Sequence, residues 1–324
     1  MFRVFLIALA VFGSLAVCAG DQGVDADAIP RLAQLDEPAA PKEYARPEVL
    51  AGTEPLAKLI ALRDPNLVVI DARSDDRFAE GHIPGARNIQ SDTLQDPQSP
   101  PFYLPSAETL KNVCAQAGID AESRVVIYDE DDGRLAARIW FTLHAFGHEH
   151  CAILNGGSEA WREEKREWSQ AAPGKLAKPG SFQPSEALRG VCSFADLSQF
   201  KVRVLTLGSL PATTLLDARS IQEYMGEEVR GKMGGHIPGA ANIEWSALMR
   251  GKEHARVWRS APEIHTILRL AGVEREQKTA VYDQAGGRSA HLYFTLWLMG
   301  FANAKNYVAG WREYGNRDDV EVEK

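Results

Sequence analysis

The fold of this chain is decided by one stretch that occurs twice, first as VVIDARSDDRFAEGHIPGARNI at residues 68–89 and again as LLDARSIQEYMGEEVRGKMGGHIPGAANI at residues 215–243. Both copies contain Asp-Ala-Arg-Ser, then Gly-His-Ile-Pro-Gly-Ala, then Asn-Ile, and the second copy carries extra residues around positions 226–234. Two further pairs follow in the same order: VVIYDEDDGRLAARIWFTL (125–143) with TAVYDQAGGRSAHLYFTL (279–296), and ILNGGSEAWRE (153–163) with NYVAGWREYGN (306–316). Three matched blocks in one order indicate a duplicated domain that is longer than the short repeats of solenoid proteins.

Within each copy, short apolar runs alternate with helical patterns. Runs such as LVVIDAR (67–73) and CAILNGG (151–157) predict buried strands. ARIWFTLHAFG (137–147) and AHLYFTLWLMG (290–300) predict helices that each end at a glycine. Strands that alternate with helices predict an α/β fold of two tandem domains, each a mostly parallel sheet with helices on both faces.

The N-terminus has the layout of a secretory signal peptide, with Arg3 before an apolar run that ends at Val17 and is too short for a comfortable membrane span. We therefore expect a periplasmic or secreted protein. A retained signal anchor is one alternative, and a lipid anchor at Cys18, in a lipoprotein-like LAVC motif, is another. The predicted segments are a signal peptide (1–19), an extended lead-in (20–43), an N-terminal domain (44–165), a linker (166–189) and a C-terminal domain (190–324).

The composition is that of a globular protein, because 45% of the 324 residues are hydrophobic and 25% are charged. The net charge of −8 argues against nucleic acid as a partner, since phosphate binding needs a basic face. After removal of the signal, Cys114, Cys151 and Cys192 remain, an odd number that excludes a fully paired disulfide framework. Their spacing matches no zinc site, and we expect neither a metal nor a cofactor.

The combination of Asp-Ala-Arg, Gly-His-Ile-Pro-Gly-Ala and a strand–loop–helix unit near the end of each copy resembles the two-domain rhodanese family. That family includes thiosulfate sulfurtransferases and 3-mercaptopyruvate sulfurtransferases, and the match extends from about residue 44 to residue 324. The resemblance implies a non-catalytic first domain and a second domain whose six-residue loop begins with a nucleophilic cysteine. That cysteine accepts a sulfane sulfur as a persulfide and passes it to cyanide or another thiophile.

In this chain an aspartate stands at the position of the family's cysteine. The corresponding loop is Asp283, Gln284, Ala285, Gly286, Gly287, Arg288. A loop between a strand end and a helix start gathers backbone N–H groups and the positive end of the helix dipole. We expect the Asp283 carboxylate to occupy this cradle as a built-in anion, because a carboxylate oxygen cannot hold a transferable sulfur.

Residues around the loop complete the predicted site. We expect Asp217 and Arg219 to form a buried structural pair, because the first copy repeats them, and His236 to have a structural role in its turn. Trp311 is expected to form an aromatic wall beside the pocket mouth. Glu223 stands where thiosulfate-type relatives carry a substrate-binding arginine, and its charge should repel thiosulfate.

The leading hypothesis is a catalytically degenerate sulfurtransferase that acts as a binding or accessory protein in sulfur metabolism outside the cytoplasm. Its ligand would be a small sulfur-containing anion or a protein partner. One alternative is an active thiosulfate or 3-mercaptopyruvate sulfurtransferase that works by a non-standard route. Another, less favoured, is a hydrolase that uses Asp283 as its nucleophile, and a metal site at the acidic first loop, Asp129, Asp131 and Asp132, is equally disfavoured.

Overall fold

Two parallel sheets form the framework of the chain, one built from each copy of the repeat. The computed structural model describes residues 42–94, 96, 103–200, 213–252 and 256–324. The predicted signal peptide, Cys18 and the lead-in up to residue 41 lie outside this range. Among the described residues, no helix has both the length and the apolar composition that a membrane crossing requires.

The first domain is a five-stranded parallel sheet of order β1-β5-β4-β2-β3. Its strands are β1 (Leu50–Ala51), β2 (Leu67–Asp71), β3 (Arg87–Asn88), β4 (Arg124–Tyr128) and β5 (Cys151–Leu154). Its helices are α1 (Thr53–Ala61), α2 (Asp75–Glu80), α3 (Ala107–Ala117), α4 (Arg134–Ala145) and α5 (Gly157–Glu163), with 3-10 turns at Pro47–Val49 and Ser91–Leu94. The four residues of β4 after Arg124 are all buried, as a strand covered on both faces requires.

The second domain repeats this plan with a four-stranded parallel sheet of order β11-β10-β6-β7. Its strands are β6 (Thr213–Asp217), β7 (Ala241–Asn242), β10 (Lys278–Tyr282) and β11 (Lys305–Tyr307), and a separate antiparallel pair joins β8 (Met249–Arg250) to β9 (Val257–Trp258). Its helices are α6 (Ile221–Tyr224), α7 (Ala261–Leu270), α8 (Gly287–Leu298) and α9 (Gly310–Tyr314), with 3-10 turns at Phe194–Phe200 and Trp245–Leu248. The predicted α/β architecture of two tandem domains is therefore confirmed.

The domains meet along α4 and α8, two helices whose residues are mostly buried. Trp140 of α4 packs edge-on against Phe294 of α8 with ring centroids 4.9 Å apart, and Phe141 meets Tyr293 at the same distance. Each helix begins at the loop that follows the central strand of its own sheet. Because α4 and α8 pack together, both loops face the seam between the domains.

The predicted linker crosses the surface of the first domain. Residues 166–189 contain no helix or strand apart from a bridge between Ser169 and His82. The Gly180 N–H donates to the carbonyl of Ala115 at 2.9 Å, and Phe182 is buried. The linker is thus packed against the first domain.

Candidate functional site

The Asp283 carboxylate fills the backbone cradle between β10 and α8. Its Oδ1 accepts hydrogen bonds from the N–H of Ala285 at 3.0 Å and from the N–H of Gly286, and its Oδ2 accepts from the N–H of Arg288 at 2.7 Å. The Ser289 hydroxyl donates to Oδ1 at 3.2 Å, and the side chain is buried. The carboxylate therefore occupies the place that an external anion or a nucleophile would take at a helix start.

The loop can curve around this carboxylate because of one glycine. Gly286 precedes the first residue of α8 and has a left-handed φ of +92°. A Cβ at this position would lie 2.5 Å from Nη1 of Arg138 and 2.8 Å from Val308. Gly287, the first helical residue, has no left-handed φ, so Gly286 alone of the pair carries the conformational requirement.

The start of α9 supports the loop from the other side. The N–H of Trp311 donates to the Asp283 carbonyl at 2.7 Å, and the N–H of Arg312 donates to the Gln284 carbonyl at 3.0 Å. Gly310 has φ +57°, and a Cβ there would lie 2.2 Å from the Asp283 carbonyl oxygen. The loop is thus held by the Asp283 carboxylate on its inner side and by the backbone of α9 on the other.

The loop arginine is neutralised by the residue that was expected to repel thiosulfate. Glu223 is buried and accepts from Nη2 of Arg288 at 2.9 Å and from its Nη1, while Arg230 lies 3.5 Å away. Burial raises the pKa of Glu223, but the hydrogen bonds and charge of Arg288 outweigh that effect and the net pKa lies below its usual value. Glu223 therefore neutralises the positive charge of Arg288.

A cleft of about 420 Å³ opens in front of the loop, at the seam between the domains. It is lined by Ser91, Asp92, Arg134, Leu135 and Arg138 from the first domain and by Arg230, Trp245, Asp283, Gln284, Ala285, Gly287 and Arg288 from the second. Four arginines and two aspartates line the cleft, and a guanidinium group that is not fully engaged there can donate charge-assisted hydrogen bonds to an anion.

The first-domain loop is built on the same plan but is one residue longer. Asp129 accepts from the N–H groups of Asp131 at 3.0 Å, Gly133 at 2.9 Å and Ala136 at 2.9 Å. Burial raises the pKa of Asp129 to about 6, against the opposing effect of these N–H donors. Gly133, with φ +85°, takes the place of Gly286 before its helix.

The carboxylates of the first loop are committed to neighbours. Asp131 accepts from Nε of Arg134 at 2.6 Å, and Asp132 accepts from the N–H of Arg256 at 3.0 Å. Within the described ranges, no group of three or more histidine, cysteine, aspartate or glutamate side chains is arranged to hold a metal ion. The carboxylates of this loop therefore form hydrogen bonds with neighbouring protein groups.

The predicted supporting residues stand behind the site and not in the cleft. Asp217 accepts from Nε of Arg219 at 3.0 Å and from its Nη2 at 2.6 Å, and that Nη2 also donates to the Gly235 carbonyl at 2.7 Å. Asp71 and Arg73 form the same pair in the first domain. The repetition of the pair in both domains agrees with a structural role.

His236 and Trp311 are both buried outside the lining of the cleft. His236 stacks on Tyr224 with ring centroids 3.6 Å apart, and its Nδ1 lies 2.9 Å from the carbonyl of the same residue. The Trp311 ring is buried, lies 4.4 Å from the Arg219 guanidinium and donates from Nε1 to the Met233 carbonyl at 3.1 Å. Trp311 therefore differs from the expected aromatic wall: its ring does not line the cleft, and its contact with the loop is made by its backbone.

Of the described cysteines, none lines the cleft. Cys114, Cys151 and Cys192 are all buried and unpaired. Burial raises the pKa of Cys114 and of Cys192 to about 12, and it raises the pKa of Cys151 well above its usual value. These thiols are poor candidates for a replacement nucleophile, which has to be a thiolate that the substrate can reach.

Sequence reasoning missed Arg138, which approaches the loop from α4 of the first domain. Its Nη1 donates to the Gly286 carbonyl at 3.3 Å and its Nη2 to the Tyr103 carbonyl at 3.1 Å. The available signal was a charged residue within an otherwise apolar helix, where a buried charge needs a reason.

Comparisons with known proteins agree with this architecture. The sequence signature of the family described as "Rhodanese-like domain" matches residues 55–164 and 205–317. "Thiosulfate sulfurtransferase" of Azotobacter vinelandii is 34% identical over 273 residues, covering 83% of this chain and 96% of that protein. "Sulfur carrier protein TtuD" of Thermus thermophilus is 30% identical over 293 residues, covering 87% and 98%. The crystal structure of YnjE superposes with a TM-score of 0.73 at 22% identity over 86% of this chain and 68% of that one, which shows a shared fold.

Proposed function

This chain belongs to the rhodanese-like family of sulfurtransferases, and we propose that it is a catalytically degenerate member that binds a small sulfur-containing anion or a partner without transferring sulfur. In this proposal the first domain is non-catalytic and the second retains the anion-binding architecture of the site. The protein then serves as a binding or accessory component of sulfur metabolism.

The observation that carries the proposal is the Asp283 carboxylate inside the N–H cradle. Sulfur transfer from thiosulfate breaks an S–S bond and needs a nucleophile that forms a new S–S bond. An aspartate oxygen forms no such bond, and the three backbone donors already hold it in place. The described thiols are buried elsewhere, so the cleft has an anion-stabilising environment but no sulfur to receive the transferred atom.

The names of the relatives favour the alternative of an active enzyme by a non-standard route. The Azotobacter relative is named as a thiosulfate sulfurtransferase and the Thermus relative as a sulfur carrier protein. The Asp283 geometry is our reason for preferring the degenerate function.

The proposed place of action is the periplasm or the exterior of the cell. This proposal rests on the sequence pattern of residues 1–19 alone, with Cys18 as the point of lipid attachment in the alternative case. Mass spectrometry of the mature N-terminus distinguishes free cleavage, lipidation and retention of the segment.

The decisive experiment measures thiocyanate formation from thiosulfate and cyanide. We expect the wild type and Asp283→Ser to remain at the level of the uncatalysed control, and Asp283→Cys to gain activity at least about tenfold above it, because the loop donors stabilise a thiolate. Intact-mass analysis should show one added sulfur atom on the cysteine variant only. Wild-type turnover at the rate of a cysteine-bearing relative would overturn the proposal.

A parallel screen addresses the hydrolase alternative. The wild type and Asp283→Asn are incubated with phosphate and carboxylate esters, with and without Mg²⁺. We expect no hydrolysis, because the oxygens of Asp283 are engaged by the loop N–H groups. Hydrolysis by the wild type that disappears in Asp283→Asn would establish the aspartate as a nucleophile.

A further inference from the structure

Arg138 of α4 and His291 of α8 are polar residues at equivalent positions of the two helices that meet at the seam. In α4 the Thr142 hydroxyl donates to the Arg138 carbonyl at 3.0 Å, and in α8 the Thr295 hydroxyl donates to the His291 carbonyl at 3.0 Å. The two threonines lie in the repeated Phe-Thr-Leu block, so Arg138 and His291 are counterparts. The two residues differ in their surroundings.

His291 lies in a closed environment. It is fully buried and stacks on Trp258 with ring centroids 4.7 Å apart. Trp258 in turn covers the first-domain loop, since a Cβ on Gly133 would lie 2.4 Å from its ring. The second domain thus closes the first-domain loop with an indole ring.

Arg138 lies at the edge of the cleft. It is only 2% exposed, yet it lines the cleft in front of Asp283. Its guanidinium donates to the carbonyls of Gly286 and Tyr103, and its Nε has no hydrogen-bond partner. In the part of the chain that the structure describes, Arg138 forms no ion pair with a carboxylate, and buried charges are ordinarily paired.

The other arginines of the cleft have carboxylate partners. Arg288 is paired with Glu223, Arg134 with Asp131, and Arg230 with Glu228 at 2.7 Å. Asp283 attracts Arg138 electrostatically, but its oxygens are engaged by the cradle. Burial lowers the pKa of Arg138 to about 10, so the guanidinium is still charged at neutral pH.

We propose that Arg138 is the specificity-determining residue of the cleft and that, from the first domain, it recognises a small oxyanion of sulfur bound outside the filled cradle. The inference rests on the proposed function, because it concerns the same cleft. The ligand is a pyramidal or tetrahedral anion such as sulfite or thiosulfate. Such an anion accepts from donors in several directions, and Arg138 lies within the cleft together with Arg134 of its own helix and Arg230 of the second domain.

Isothermal titration of thiosulfate tests the inference on the full-length mature protein. We expect saturable binding by the wild type and at least about tenfold weaker binding by Arg138→Met, which corresponds to about 1.4 kcal/mol. Arg138→Lys, which keeps the charge but loses the planar donor geometry, should fall between the two. Arg124→Gln is the matched control, because Arg124 is an exposed first-domain arginine paired with Asp64 outside the cleft.

A wild-type measurement covers the case in which Arg138→Met fails to fold. With 15N-labelled arginine, the Nε resonance of Arg138, assigned through Arg138→Lys, should shift on addition of thiosulfate. The inference would be overturned if this resonance did not shift, or if Arg138→Met bound thiosulfate as tightly as the wild type. It would also be overturned if the wild type bound the planar monocarboxylate pyruvate as tightly as thiosulfate. Thiocyanate formation by the wild type would overturn the proposed function alone, whereas Arg138-independent binding by an inactive wild type would overturn this inference alone.

Discussion

At the residue scale, Asp283 has the contacts of an anion that is covalently part of the chain. Its carboxylate accepts hydrogen bonds from the backbone N–H groups of the loop and lies at the positive end of the helix dipole. In a cysteine-bearing relative the same groups would face the sulfur. Removal of the carboxylate should therefore create a vacancy that a free anion can refill.

We expect Asp283→Ala to lower the free energy of unfolding by about 2–3 kcal/mol, because charge-assisted hydrogen bonds are lost in a buried site. Formate, which reproduces the carboxylate, should restore part of that loss in the variant and should have little effect on the wild type. Urea unfolding with formate and with chloride at equal ionic strength measures the difference. An equal effect of formate on both proteins would show that the cradle does not accept an external anion.

Glu223→Gln tests the neutralisation of Arg288. The amide keeps the shape of Glu223 but removes the charge, and we expect about 1–3 kcal/mol of destabilisation because the partner is a largely buried arginine. The freed guanidinium should also tighten thiosulfate binding. Glu228→Gln, in an exposed pair with Arg230, is the control and should change stability by less than about 0.5 kcal/mol. Unchanged stability and binding in Glu223→Gln would contradict the assigned role.

At the element scale, α9 fixes the loop through a glycine that no other residue replaces without strain. We expect Gly310→Ala to destabilise the protein by at least about 2 kcal/mol, because the new Cβ would lie 2.2 Å from the Asp283 carbonyl in addition to the cost of φ +57°. Gly272→Ala is the matched control: its φ is +72° but nothing lies within 4 Å of the added Cβ. It should cost only about 1 kcal/mol, the lower end of the penalty for an L-residue in the left-handed region. Equal losses in chemical denaturation would mean that the contact with the loop carries no energy.

The element order was predictable from sequence because buried parallel strands and apolar helices leave strong patterns. VVIY and TAVY became the central strands β4 and β10, and both long helices end close to the predicted glycines. The loop alignment was less predictable. Both loops contain Gly-Arg, at Gly133-Arg134 and at Gly287-Arg288, but the left-handed residue before the helix is Gly133 in one domain and Gly286 in the other, which is one residue out of register with that pairing.

The contacts across the seam could not be read from the sequence. Asp283 and its loop were identified because the donors are local in the chain. Arg138 contacts Gly286, which is 148 residues away in the sequence, and Trp258 of the second domain contacts Gly133 of the first. Neither contact produces a short-range pattern in the sequence. Trp311 was expected at the mouth of the pocket, but its ring is buried and packs on Arg219.

At the scale of the whole molecule, the seam between the domains contains two buried histidines. His291 stacks on Trp258, and His144 stacks on Trp140 and lies 3.3 Å from the Tyr293 hydroxyl. Burial lowers the pKa of His291 to about 3 and that of His144 to about 4. Both rings are neutral at physiological pH and would have to leave the seam to take up a proton.

The stability of the protein should therefore fall as the pH is lowered from about 6.5, the pKa of an unfolded histidine. The unfolded chain binds protons that the folded chain rejects, so each histidine contributes a loss of up to about 1.4 kcal/mol per pH unit. Asp129 acts in the opposite direction between about pH 4 and 6, because its pKa is raised to about 6 in the folded state. Urea unfolding at pH 5, 6 and 7 measures the net slope, which His291→Leu should reduce and which His150→Gln, at an exposed position, should leave unchanged. A slope that persists undiminished in His291→Leu would place the pH dependence outside the seam.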